Sequence, residues 1–197
     1  MYLSDVDIKK YIEKGIIKIE PPVQEIDYRQ CGIRIHLSDI IYELSSSDDA
    51  VDLRHNLRSD TILKKFFKEF DLKKLNDSGN PYILEPGKIV LGTTVEKIKM
   101  PNYMVGVLNG RSTVARFGIA NHITASLVDN MDTEEPKNFT LEISNCGSLK
   151  FVLYPDIPIG MLLFTILSSR TDILPSGQYA DSEVIPNIKF THEKKII

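Results

Sequence analysis

Apolar positions change their period along this chain, and the changes mark out its elements. Ile8, Tyr11 and Ile12 recur at helical spacing behind Ser4-Asp5-Val6-Asp7, a capping-box-like start, and Gly15 is the stop. Ile16 to Ile19 then reads as a short strand, halted by Pro21-Pro22. Gly32-Ile33-Arg34-Ile35-His36-Leu37 alternates small or polar residues with apolar ones, the pattern of a half-buried strand. Ser45 to Asp49 is a polar loop. Helical spacing returns at Ile62, Leu63, Phe66, Phe67 and Phe70, with Lys64, Lys65, Lys68 and Glu69 opposite and Asp60 as the cap. That aromatic stripe predicts a helix packed on a sheet, and Asn76 to Pro81 predicts a turn.

From Tyr82 onward the chain consists of short apolar runs separated by Pro, Gly and Asn. Ile89 to Lys97, Tyr103 to Leu108, Ile119 to Ser126, Phe139 to Ser144, Lys150 to Leu153 and Met161 to Leu167 are the strand candidates. Short strands at this spacing predict an all-β barrel or sandwich. After Ser168 the sequence turns polar and ends on Glu193-Lys194-Lys195, so residues 169–197 are expected to form a mobile tail. No internal repeat divides the chain, and residues 1–197 are expected to form one domain.

The segment from Gly106 to Asp129 is where chemistry concentrates. Asn109-Gly110 breaks the preceding strand, Ser112 is placed to cap a short helix over Thr113 to Phe117, and Gly118 ends it. Arg111 precedes the helix start and Arg116 follows one turn on, so guanidinium groups, hydroxyls and free N–H groups could cradle a phosphate. The same residues also make an ordinary surface turn with two solvated arginines, and spacing alone leaves both readings open. A second feature is Glu142, a carboxylate among Phe139, Leu141 and Ile143. In a desolvated pocket it would serve as a general base, whereas strand alternation equally permits it to face solvent.

Composition narrows the classes. The 197 residues are 42% hydrophobic and 26% charged, ordinary for a soluble globular protein. A net charge of -3 argues against non-specific nucleic-acid binding without excluding a single nucleotide. No apolar run is long enough to span a bilayer and no secretory pattern opens the chain, so a cytosolic location is expected. Two cysteines, Cys31 and Cys146, build neither a disulfide framework nor a zinc-type ligand cluster.

Several motifs resemble one family in register. Gly110-Arg111-Ser112-Thr113-Val114-Ala115-Arg116-Phe117-Gly118 is similar to the Gly-Arg-Ser-Ser-Leu-Ala-Arg-Leu-Gly signature of the dCTP deaminases, within the dUTPase-like superfamily. His122-Ile123-Thr124-Ala125 with Val128-Asp129 resembles its His-Val-Thr-Ala and Ile-Asp, and Thr140-Leu141-Glu142-Ile143-Ser144-Asn145 its Thr-Leu-Glu-(apolar)-x-Asn strand. Leu3-Ser4-Asp5, Leu84-Glu85-Pro86-Gly87, Gly92-Thr93-Thr94-Val95-Glu96, Tyr154-Pro155 and Ile159-Gly160 extend the likeness over most of residues 2 to 168.

The resemblance implies a mostly β, distorted jelly roll or β-barrel with a short N-terminal helix and one further amphipathic helix, assembled as a homotrimer with shared active sites. It implies hydrolytic deamination of dCTP to dUTP and ammonia without a zinc cluster, and it leaves open whether the reaction continues to dUMP. Glu142 would be the base, with Ser112 and Arg116 orienting the water. Arg111, Ser112, Thr113 and Arg116 would hold the triphosphate, and Mg²⁺ would ride on its oxygens rather than on protein ligands. Ile123, Thr124 and Ala125 would read the base edge and Asp129 the sugar hydroxyl. Thr140 and Leu141 would border the nucleotide, and Tyr179 faintly echoes a segment that closes over phosphate. His122 is expected to be structural.

The chain also departs from the family. Arg34 stands where relatives carry Asp, Leu127 where they carry Arg or an aromatic residue, and Asn130 to Asn138 replaces a tight Gly turn with a longer acidic stretch. That stretch is expected to be mobile and, if near the triphosphate, repulsive to it. A dUTPase and a non-catalytic nucleotide-binding paralogue are the alternatives.

Overall fold

The computed structural model describes residues 1–45, 66–129 and 132–172. In chain order the elements are helix α1 (Asp5–Glu13), strands β1 (Lys18–Glu20), β2 (Tyr28–Arg29), β3 (Gly32–Leu44) and β4 (Phe67–Asp71), and helix α2 (Leu72–Asp77). Strands β5 (Tyr82–Leu84), β6 (Ile89–Thr94), β7 (Lys97–Lys99) and β8 (Met104–Gly110) follow, then the short helix α3 (Ser112–Ala115). The last strands are β9 (Ile119–Ala120), β10 (Leu127–Val128), β11 (Thr140–Asn145), β12 (Phe151–Leu153) and β13 (Pro158–Ile166). Nine of them form one sheet in the order β10-β8-β13-β3-β6-β11-β9, with β2 and β4 also on β3; β1-β7 and β12-β5 make two small sheets.

The thirteen residues of β3 splice two halves together. Gly32 to His36 pair with β13, while Leu37 to Glu43 pair with β6, and the register shifts between Leu37 and Ile41. Such an irregularity bends a strand and raises its twist, which lets one strand serve two differently directed neighbours. Alternation does the rest. Ile33, Ile35, Leu37 and Ile41 are buried and meet Leu141, Ile143, Leu162 and Phe164 in one core. Each fully buried large apolar side chain contributes about 1.5–3 kcal/mol.

The N-terminal helix forms as its pattern predicts. The Ser4 side chain accepts the Asp7 N–H, Ile8 is buried, and Gly15 takes a positive φ just beyond the end. The second helical stripe does not continue past Phe66. Phe67–Asp71 is a strand pairing with Ile40–Leu44, and Ile62, Leu63 and Asp60 lie outside the described residues. Pairing with an open edge of β3 outweighs the helical spacing of Phe67 and Phe70, and Phe70 stacks edge-on against Tyr82 at 5.0 Å. Asp71 then caps the unforeseen helix α2 by accepting the Lys74 N–H at 2.9 Å, so the expected turn begins only after Asp77. Smaller differences follow from tertiary pairing. The run Ile119 to Ser126 is strand only at its first two residues, and Ile89 to Lys97 divides at Val95-Glu96.

That division serves a polar cluster on the outer side of β3. The His36 N–H donates to Glu96 Oε2 at 3.0 Å, and His36 Nδ1 lies 2.6 Å from Glu96 Oε1. Asp27 Oδ1 is 3.7 Å from His36 Nε2 and 3.8 Å from Arg34 Nη1. Arg34, the cation in place of the family's carboxylate, is thus met by a local carboxylate. These groups line a cavity of about 280 Å³ with Pro21, Pro22 and Asp156. The hydrogen bond to Glu96 raises the His36 pKa, against the opposing effect of burial, with Asp27 and Asp156 adding to the rise. A raised folded-state pKa stabilises fully below the unfolded value of about 6.5 and loses that contribution as pH climbs through the folded value. Urea unfolding from pH 5.5 to 8.5 should show wild-type stability declining above about pH 6.5, with His36→Gln flattening that part of the profile. A wild-type profile parallel to the variant's would detach His36 from the pH response.

Candidate functional site

Glu142 sits between buried Leu141 and buried Ile143, so alternation turns its side chain away from the core. It is partly covered there rather than fully exposed. The register Tyr42↔Leu91↔Glu142 lays an apolar floor beside it, and Leu44, Phe67, Ile89, Leu91, Ile123 and Thr124 join it around a pocket of about 330 Å³. The carboxylate is half-buried, and its Oε2 accepts the Ile123 N–H at 3.0 Å. That bond leaves the second oxygen without a hydrogen-bond partner among the described residues and gives the side chain one fixed direction. An acceptor held this way in a mostly apolar recess can take a proton from a water.

The pocket wall was not legible as a site. Phe67 is hidden by its helical spacing, Leu44 falls outside every predicted element, and Ile89 and Leu91 read only as strand residues. Of the residues expected at the base edge, Ile123 and Thr124 line the pocket while Ala125 does not; all three are exposed. Thr140 is half-buried opposite Thr93, and Leu141 belongs to the core, so only its backbone could touch a ligand. Asp129 is exposed at the end of β10. Tyr179 lies outside the described residues.

The Arg111–Arg116 turn differs from its expected detail. Helix α3 is only four residues long and Arg111, not Ser112, is its N-cap, with no side-chain capping bond. A helix this short has little dipole, so guanidinium groups and hydroxyls would have to carry any anion. Arg111 is half-buried and its Nη1 donates to the Pro158 carbonyl at 3.1 Å. Ser112, Thr113 and Arg116 are exposed. Gly118 ends the turn at φ 90°, where a Cβ would lie 2.5 Å from the Gly147 nitrogen, so a side chain is excluded twice over.

The two halves of the expected site are apart within one chain. Gly118 and Ile119 meet the Asn145-Cys146 end of β11, three residues beyond Glu142, or about 10 Å along a strand. Among the described residues, no hydrogen bond or ion pair joins Ser112 or Arg116 to Glu142. The acidic loop is also displaced. Asp132 Oδ2 accepts the Asn102 N–H, Lys99 donates to the Glu134 carbonyl, and Lys137 pairs with Ile98. These anchors stand at the Met104 end of β8, whereas Arg111 follows its Gly110 end, a strand length of about 20 Å away. Within one chain the loop therefore neither hangs loose from Asp132 onward nor faces the arginines.

Among the described residues no three His, Cys, Asp or Glu side chains converge as a metal site. The donors around Arg111 are cationic or hydroxylic, which suits phosphate oxygens and not a bare cation. A magnesium ion fits this surface only as a passenger on a polyphosphate.

Comparison with known proteins adds the family. Residues 2–167 match the family model described as dCTP deaminase-like. A protein of Methanosphaera stadtmanae named dCTP deaminase, dUMP-forming, is 31% identical over 177 residues, covering 86% of this chain and 81% of its own. A relative from Dictyoglomus thermophilum with the same name is 33% identical, covering 87% and 84%. One from Actinobacillus pleuropneumoniae, named dCTP deaminase, is 31% identical and covers 86% of each. In structure, the 2'-deoxycytidine 5'-triphosphate deaminase of Agrobacterium tumefaciens superposes with a TM-score of 0.58 at 18% identity over 84% of this chain. This chain spans 46% of that one, and the likeness supports the fold alone.

Proposed function

The chain belongs to the dCTP deaminase-like family, and we propose from that premise and the pocket geometry that Glu142 is the base that deaminates dCTP. Relatives are named dCTP deaminase or dCTP deaminase, dUMP-forming; in this reading dCTP and water give dUTP and ammonia, and the second name points to onward hydrolysis to dUMP. The observation that carries the assignment is a half-buried carboxylate, directed by the Ile123 N–H, at the mouth of a mostly apolar pocket sized for a pyrimidine.

The steps balance without a redox partner. Glu142 takes a proton from a water whose oxygen attacks C4 of cytosine. The tetrahedral centre then collapses, the C4–N4 bond breaks, and the proton passes from Glu142 to the departing nitrogen as ammonia forms. Arg111, Ser112, Thr113 and Arg116 bind the triphosphate, with Mg²⁺ arriving on it. Asp129 holds the sugar, and the backbone around Ile123 to Ala125 with Thr140 and Leu141 borders the base.

Because Arg116 and Glu142 stand apart in one chain, the same proposal has one site built from two copies in a homotrimer. Exposed Ser112, Thr113 and Arg116, together with exposed Phe117, Ile123 and Leu127, support that reading. Free nucleotide substrates suit a cytoplasmic setting.

Incubation with dCTP or dUTP and Mg²⁺, followed by product separation, tests the activity and tells dUTP from dUMP. Conversion of dUTP alone would favour a dUTPase, and binding without turnover a non-catalytic paralogue. Glu142→Gln keeps the shape but cannot accept the proton, so turnover should fall at least about a hundredfold while dCTP still binds. Near-normal turnover in that variant would remove Glu142 from the mechanism. Arg111→Ala should raise KM for dCTP roughly tenfold, since a charge-assisted pair is lost, and deoxycytidine should be a poor substrate of the wild type. Equal activity on nucleotide and nucleoside would defeat the cradle. Finally, Glu142→Gln and Arg116→Ala chains, each inactive, should regain activity when unfolded and refolded together, with about a quarter of sites restored at equal mixing. No recovery from well-formed mixed trimers would place both residues in one chain's site.

A further inference from the structure

Asn121 is 1% exposed, and every polar atom of its side chain is engaged. Its Nδ2 donates to the Asn109 carbonyl at 3.0 Å, and Asn109 Oδ1 in turn accepts the Gly110 N–H at 2.8 Å, one residue before Arg111. The Asn121 carbonyl accepts the Glu142 N–H at 3.2 Å. Two residues on, the Ile123 N–H donates to the Glu142 carboxylate. One residue therefore touches both: its buried amide meets the strand that leads into the arginine turn, and its main-chain carbonyl meets the strand that carries the base.

Its remaining atom decides the state of a neighbour. A carbonyl can only accept, so the amide nitrogen must face Asn109 and Oδ1 must face His122. Asn121 Oδ1 lies 3.0 Å from His122 Nδ1 and also can only accept, so Nδ1 must carry a proton. In the neutral ring Nε2 is then the free acceptor, and it has no hydrogen-bond partner among the described residues. The space around the amide is equally specific. A Cβ on Gly160 would lie 1.9 Å from Asn121 Nδ2, so the facing strand leaves room for this side chain only because it has glycine there.

We propose that Asn121 is a positioning residue that ties the Arg111 turn to the Glu142 strand and fixes the Nδ1–H tautomer of the neutral form of His122, leaving Nε2 as its acceptor. The kinetic part rests on Glu142 being the base; the tautomer part does not.

Nitrogen-15 NMR of histidine-labelled full-length protein, with His122→Gln for assignment, reads the tautomer directly. The wild type should show Nδ1–H as the dominant neutral form, and Asn121→Ala should lose that preference. A wild-type ring with its proton on Nε2 overturns the proposal whether or not any variant folds. Gly160→Ala, which pushes the amide aside, should cause the same spectral change, and an unchanged ring there would count against the proposal. In turnover, Asn121→Ala should lower kcat about tenfold or more, because base and ring lose their alignment, with a smaller change in KM for dCTP. Unchanged kcat in a folded Asn121→Ala would overturn the link to Glu142. Full activity of Glu142→Gln would instead sink the assignment of the base and leave the tautomer result standing.

Discussion

The pairing of β3 with different partners along its two halves is the constraint from which the rest of the architecture follows. Its first half binds β13, which carries β8 and so the arginine turn; its second half binds β6, which carries β11 and Glu142. Backbone hydrogen bonds leave little freedom in register, since a shift of one residue would turn Ile33, Ile35, Leu37 and Ile41 out of the core. The strand thus sets where the two chemical halves stand relative to one another. It also puts Arg34 and His36 on its outer side, where Asp27 and Glu96 neutralise them.

The Glu142 pocket shows how an outward position can still be desolvated. Alternation sends the side chain away from the core, but the neighbouring strands offer Leu91, Ile89, Leu44 and Phe67 on that same face. A second apolar surface above the sheet, missing from a single chain, would complete the recess. The arginine turn is its counterpart, with Ser112, Thr113 and Arg116 exposed and, among the described residues, no bond from Ser112 or Arg116 to Glu142. On the proposed mechanism the two halves act together, which is the physical reason that reading has them meet between copies.

Charge is arranged to keep the polyphosphate end cationic. The acids of the Asp132 to Glu135 stretch, which would repel a triphosphate, are drawn to the far end of β8, where Asn102 and Lys99 bind the loop. Within one chain the loop is docked locally beside Asn102 and Lys99.

Much of this was legible in the sequence because it depends on local chemistry. The capped N-terminal helix, the strands from Ile89 onward, the glycine stop at Gly118 and the in-register motifs each rest on neighbours close in sequence. The candidate residues Arg111, Ser112, Thr113, Arg116 and Glu142 could be named only through the family resemblance, since spacing alone leaves a solvated turn and an outward carboxylate equally open. What tertiary structure alone decided depends on partners distant in sequence. Phe67 and Phe70 have helical spacing, yet an unpaired edge of β3 draws them into a strand. Ile119 to Ser126 is apolar enough for a strand, yet only its first two residues find a partner. Asn121 looks like any polar residue in a turn until Asn109, Glu142 and Gly160 close around it. Local pattern specifies which backbone states are cheap, but only the packed sheet determines which edges and buried polar groups remain to be satisfied.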